Sequence, residues 1–172
     1  MVTLTDESSQ SAPGRNLRTH FTIDVFPHVK KFIFKTYRNS TEGRDTVTLE
    51  KNSTLSNLVT LALREPSSSA EGGPKRDSME TITLVLTKNQ SGLNPSLRKL
   101  RRINVDMDRL FKEHLMSWIT ANEDHFPPYS ACRQFLEHYR INEKEYSLAA
   151  AYRFYQRSRH KDFALDSDTK HP

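Results

Sequence analysis

Arg153, Gln156, Arg157 and His160 recur at i, i+3, i+4 and i+7 within EYSLAAAYRFYQRSRHKDF, Glu145–Phe163. That spacing puts them on one face of a helix starting near Ser147. Arginine and glutamine side chains reach both phosphate oxygens and base edges, so a helix carrying this set fits a nucleic-acid major groove. Leu148, Ala151, Tyr152 and Tyr155 have the same spacing on a different face, which would dock the helix onto its neighbours. The competing reading is an ordinary terminal amphipathic helix whose arginines meet only water.

A second basic cluster, Arg98, Lys99, Arg101 and Arg102, surrounds Leu100. Over Arg98–Lys112, six cations face two carboxylates; over Arg133–Lys161, seven Lys or Arg face three. Each region therefore nearly matches the +5 of the whole chain, so positive charge is concentrated rather than spread. On one surface the two clusters would make a salt-sensitive path for phosphates. Alternatively, Arg98–Arg102 is an edge strand protected from aggregation by its charge. Tyr129, Phe154 and Phe163 fall outside the packing stripes, where aromatic rings can stack on unpaired bases or complete a core.

Catalytic patterns are missing from the sequence. Its seven His residues form no HExxH or His-x-His pair, and the lone Cys132 can make neither Cys-x-x-Cys nor an internal disulfide. Cys132 lies on a helical packing stripe, as expected of an inert buried thiol. His114 lies on an apolar helix face, as expected of a packed, hydrogen-bonded residue. No P-loop, GxGxxG or GxSxG occurs. The expectation is a non-enzymatic protein with no cofactor and no metal.

The net charge of +5 suits an anionic partner as well as solubility. No apolar run is long enough to span a bilayer, and the first residues lack the apolar core of a secretory signal. Cytoplasmic residence without membrane association is expected.

Alternation of Phe21, Ile23 and Val25 predicts a strand over His20–Val25, and Pro27 suits the first turn of a helix carrying Val29, Phe32, Ile33 and Tyr37. Thr46–Leu49 reads as a strand. Ser53 or Thr54 can cap a helix bearing Leu55, Leu58, Val59 and Ala62. Ile82, Leu84 and Leu86 mark a strand over Thr81–Thr87. LRKLRRINV reads either as a returning strand or as the start of a helix. The long helix after it, with Asn104 or Asp106 as cap, carries Met107, Leu110, Phe111, Leu115, Trp118 and Ile119, and Pro127-Pro128 ends it. A helix over Ser130–Tyr139 and the terminal helix follow, joined by Arg140–Tyr146. That link is longer than the turn of a helix-turn-helix and lacks its frequent Gly.

The fold class expected is α+β: a small sheet of three or four strands with about five helices, the carboxy-terminal half mainly helical. Residues 1–18 and 164–172 read as disordered tails, 19–65 as a β-α-β-α unit and 66–79 as a flexible connector. Residues 80–163 read as a strand plus a helical unit packing with the first.

The stretch FLEHYRINEKEYSLAAAYRFYQRSR, with its F-L…Y-x-I-x-E…Y-S…A-Y…R pattern, resembles the carboxy-terminal ends of small uncharacterised proteins from Bacteroidota prophages and mobile elements. The resemblance implies a phage or mobile-element setting, where small basic proteins often handle DNA. The function expected is binding of nucleic acid, DNA above all, as an accessory or regulatory factor. Arg153, Gln156, Arg157 and His160 would contact the groove, and Arg98, Lys99, Arg101 and Arg102 the phosphates. The alternative is a protein-interaction or assembly module of a phage or mobile-element complex, with a protein partner or a second copy of the chain on the apolar faces at Leu55–Leu63 or Phe111–Ile119.

Overall fold

The computed structural model describes residues 19–37, 45–50, 53–64, 79–86 and 96–168, with side chains through residue 159. Expectations for 1–18, 66–78 and Phe163 lie outside the described residues or side chains. The elements are β1 (Thr19–Val25), α1 (Pro27–Thr36), β2 (Thr46–Leu49), α2 (Thr54–Arg64), β3 (Glu80–Leu86), α3 (Leu97–Asn122), α4 (Pro128–His138) and α5 (Leu148–Asp168). The protein is α+β, with a mainly helical second half.

The described strands form one mixed sheet in the order β1-β3-β2. β3 runs antiparallel to β1 and parallel to β2, as the intervening helix α2 permits. Strand periodicity sets the register: Phe21 opposes Leu84, Ile23 opposes Ile82, Val47 opposes Leu84 and Leu49 opposes Leu86. These apolar residues are all buried on the helix-covered face. A one-residue slip would turn them to the polar face of Thr22, Asp24 and Thr83, which fixes the pairing.

Pro27 occupies the first turn of α1, where its missing N–H costs no hydrogen bond. His28, Val29, Phe32 and Ile33 form its buried stripe. Ser53 caps α2, its hydroxyl accepting from the Ser56 N–H at 3.1 Å. Leu55, Val59, Ala62 and Leu63 of α2 join a single core with the sheet, α1, α3 and α4.

LRKLRRINV is the beginning of α3, so neither a fourth strand nor a charged edge strand forms there. Ser96 is the cap, with its hydroxyl accepting from the Lys99 N–H at 3.4 Å. Leu100, Ile103 and Met107 extend the helical apolar stripe back to this cap, which overrides the strand-like local composition. Asn104 and Asp106, expected as caps, sit inside the helix; Asn104 is buried and Asp106 pairs with Arg102 at 2.9 Å.

Two further boundaries differ. Pro127-Pro128 opens α4 rather than terminating α3, because proline is tolerated at a helix start where no N–H is required. α5 continues to Asp168, through a stretch free of Gly and Pro. Much of the two faces expected as assembly surfaces is core: Phe111, Leu115, Ile119, Leu55 and Val59 are fully buried within this chain, whereas Leu61 is 62% exposed. The buried residues are covered by the sheet and neighbouring helices and are not available to a partner.

Candidate nucleic-acid interface

The connection between α4 and α5 sets where the α5 arginines point. α4 ends in a Schellman motif: the Arg140 N–H bonds the Glu137 carbonyl at 3.0 Å and the Ile141 N–H bonds that of Leu136 at 2.9 Å. Arg140 takes a positive φ of 55°, a position usually given to glycine. Asn142 then folds the link, its side-chain oxygen accepting from the N–H groups of Lys144 and Glu145. Ser147 caps α5 by accepting from the Ala150 N–H at 3.1 Å.

Lys31 of α1 fastens this link, donating to the Arg140 carbonyl at 2.8 Å and to Glu145 Oε2 at 2.7 Å. The orientation of α5 is therefore fixed through α1 rather than by a short helix-turn-helix corner. Ala151 and Tyr155 are buried and Leu148 and Tyr152 half-buried, so the docking face lies where the spacing puts it. Tyr155 is anchored further by its hydroxyl, which donates to Glu123 Oε1 at 3.0 Å.

Arg153, Gln156 and Arg157 are exposed on the outer side of α5. The His160 side chain lies outside the described residues. Phe154 and Ser158 form the adjoining flank and line an open groove with Val105, Asp108, Arg109, Lys112 and Glu113 of α3. Arg157 does not line this groove; it shares the exposed outer arc of α5 with Arg153 and Gln156.

The cluster on α3 divides. Lys99 turns away and donates to the Leu63 carbonyl at 2.6 Å, satisfying the carboxy-terminal end of α2. Its ammonium group is thus engaged within the fold. Arg102 is committed to Asp106. Arg98 and Arg101 have no carboxylate partner among the described residues. With Val105, Arg109 and Lys112 they share the outer face of α3, and Arg101 lies one turn, about 6 Å, from the groove residue Val105.

Both cations that line the groove are internally balanced. Arg109 pairs with Glu113 at 3.0 Å and Lys112 with Asp108 at 2.6 Å, both along α3. Lys112 also approaches the Phe154 ring at 5.9 Å. Elsewhere Lys30 is held by Asp45 and Glu80, at 2.6 and 3.2 Å. Arg98, Arg101, Arg153 and Arg157 have no hydrogen-bonded or ionic partner among the described residues, a condition they share with Arg64 and the side chains of Arg133, Arg140 and Lys144; what sets them apart is that they lie on the two helices that border the groove.

Beneath the groove, His28 Nε2 meets Asp108 Oδ1 at 3.0 Å, and Asp108 Oδ2 receives Lys112. Burial alone would raise the Asp108 pKa; hydrogen bonds and charge from His28 and Lys112 outweigh it and hold the carboxyl below its ordinary range. His28 is enclosed by the rings of Phe26, Phe111 and Tyr146. Burial pushes the Tyr146 phenol up to about 12, with the Asp108 charge adding to it. An enclosed imidazole of this kind braces α1 against α3. Its signal in the sequence is its position on the stripe of Val29, Phe32 and Ile33.

The other chemical candidates lie as follows. Cys132 is fully buried, and burial pushes its thiol up to about 11, which makes it a poor nucleophile. His114 packs edge-on against Phe32 but is otherwise exposed, with no hydrogen bond among the described residues. Partial burial lowers its pKa. Among the described residues no group of three His, Cys, Asp or Glu is placed to hold a metal ion. No described helix is long and apolar enough to cross a membrane.

No protein-family model matches this sequence, and neither curated proteins nor solved structures give a match.

Proposed function

We propose that this chain is a non-enzymatic nucleic-acid-binding protein, with DNA the expected partner, acting in the cytoplasm as an accessory or regulatory factor of a phage or mobile element. One observation carries the binding reading. Arg98, Arg101, Arg153 and Arg157 are left without acidic partners among the described residues, on two helices that border the same groove. Nearby cations are neutralised by carboxylates one turn away. Unpaired guanidinium groups on a rigid frame are suited to phosphates, which they can bind in bidentate fashion.

Gln156 lies beside Arg153 and Arg157 on the same exposed arc and supplies a neutral donor and acceptor for a base edge. The phage or mobile-element setting rests on the resemblance of the Phe135–Arg159 stretch.

The test is anisotropy with a labelled DNA fragment across about 50 to 200 mM salt. Arg153→Ala combined with Arg157→Ala should weaken binding and lower the log–log salt slope by about 2, since each phosphate contact releases close to one counterion. Unchanged affinity and slope in the folded double variant would remove the assignment.

A further inference from the structure

The side of α5 away from the groove carries a row of aromatic and cationic groups. Arg133 lies over the Tyr129 ring at 5.8 Å. Tyr129 meets Tyr152 edge-to-face, with centroids 5.4 Å apart and planes at 81°. Tyr152 is nearly parallel to Tyr155, 6.1 Å away at 24°. Arg159 lies over Tyr155 at 5.9 Å and donates to its hydroxyl at 2.6 Å. The order Arg133, Tyr129, Tyr152, Tyr155, Arg159 thus crosses from α4 to α5.

One end of this row is closed and the other is open. Tyr155 is buried and tied to Glu123, whereas Tyr129 is 44% exposed. Pro127 and Pro128 start α4 immediately before Tyr129, so the ring projects from a fixed first turn. Arg133 along its own helix and Tyr152 across the helix pair hold that ring. Its exposed surface is therefore preorganised, and a stacking ligand need not immobilise a freely rotating side chain.

We infer that the open Tyr129 end of this row receives an unpaired base of single-stranded nucleic acid, while the α5 arginines hold its backbone. The inference rests on the nucleic-acid reading above and specifies the form of the strand. Gln156 is one turn beyond Tyr152, and Arg153 is its immediate neighbour, so the aromatic surface and the unpaired cations are contiguous. An exposed ring beside cations suits a ligand that is both a flat π-system and an anion. In a duplex the base faces are already covered by their neighbours, so Tyr129 would have nothing to stack on.

The experiment compares fluorescein-labelled oligothymidylate with a duplex of equal length by anisotropy at one salt concentration. The expected result is tighter binding of the single strand. Tyr129→Ala should lower that affinity by roughly five- to a hundredfold, the range of one base–aromatic stack, with duplex binding unchanged and Tyr129→Phe retaining the preference.

Equal binding of both forms, insensitive to Tyr129→Ala, overturns the single-strand inference and leaves the nucleic-acid reading standing. Binding of neither form overturns both, and retention of a proline-rich peptide instead would make the row a peptide groove. Should Tyr129→Ala fail to fold, the strand preference of the unaltered chain still decides.

Discussion

His28 Nε2 lies 3.0 Å from Asp108 Oδ1, joining the first turn of α1 to the middle of α3 beneath the candidate interface. Lys112, at the groove, completes the network through the second carboxylate oxygen at 2.6 Å. The buried brace and the exposed face are therefore coupled through one aspartate.

Asp108 should make folding acid-sensitive. Its folded pKa lies below its unfolded value, so the unfolded state binds more protons in acid. Its contribution is complete above the unfolded pKa, about 4, and is lost as pH falls through the folded pKa. Asp108→Asn should cost about 2 kcal/mol at neutral pH, as for a charged hydrogen bond, and flatten the acid limb. Urea unfolding of both proteins from neutral pH downward checks this; parallel pH profiles would disprove the role.

Lys99 and its neighbours should separate stability from binding. Lys99→Met removes the donor to Leu63 and should lower stability by about 1 kcal/mol without changing DNA affinity. Arg98→Ala combined with Arg101→Ala should do the reverse, weakening binding with little change in stability. Denaturant midpoints and anisotropy, measured on the same preparations, distinguish the two roles.

Arg140 supplies a third measurement. Its positive φ is unfavourable for a residue with a Cβ, and Lys31 uses only its backbone carbonyl. Arg140→Gly should therefore stabilise the protein by about 1 kcal/mol, seen as a higher urea midpoint at constant slope. A loss of stability would mean that the arginine side chain contributes more than its backbone strain costs.

The alternation of Phe21, Ile23 and Val25, and of Ile82, Leu84 and Leu86, made β1 and β3 legible from sequence, because one sheet face is buried and the other is not. Ala151 and Tyr155 similarly revealed the docking side of α5. The beginning of α3 was ambiguous because arginine-rich segments suit either a charged edge or a solvated helix face. Its choice depends on Leu100, Ile103 and Met107 finding the core together. The Tyr129–Tyr152 contact gave no local signal, since it spans two helices whose angle is set by the link and by Lys31.

By itself, then, the sequence determined the α+β class, the apolar stripes and the arginine face of α5, all products of short-range periodicity. Tertiary structure decided which charges remain available. Lys99 and Arg102 share a basic run with Arg98 and Arg101, yet Lys99 closes the end of α2 and Arg102 meets Asp106. The physical reason is that a cation's availability depends on acceptors within hydrogen-bonding reach. Side-chain orientation and the packing of distant segments set that reach, and composition does not record it.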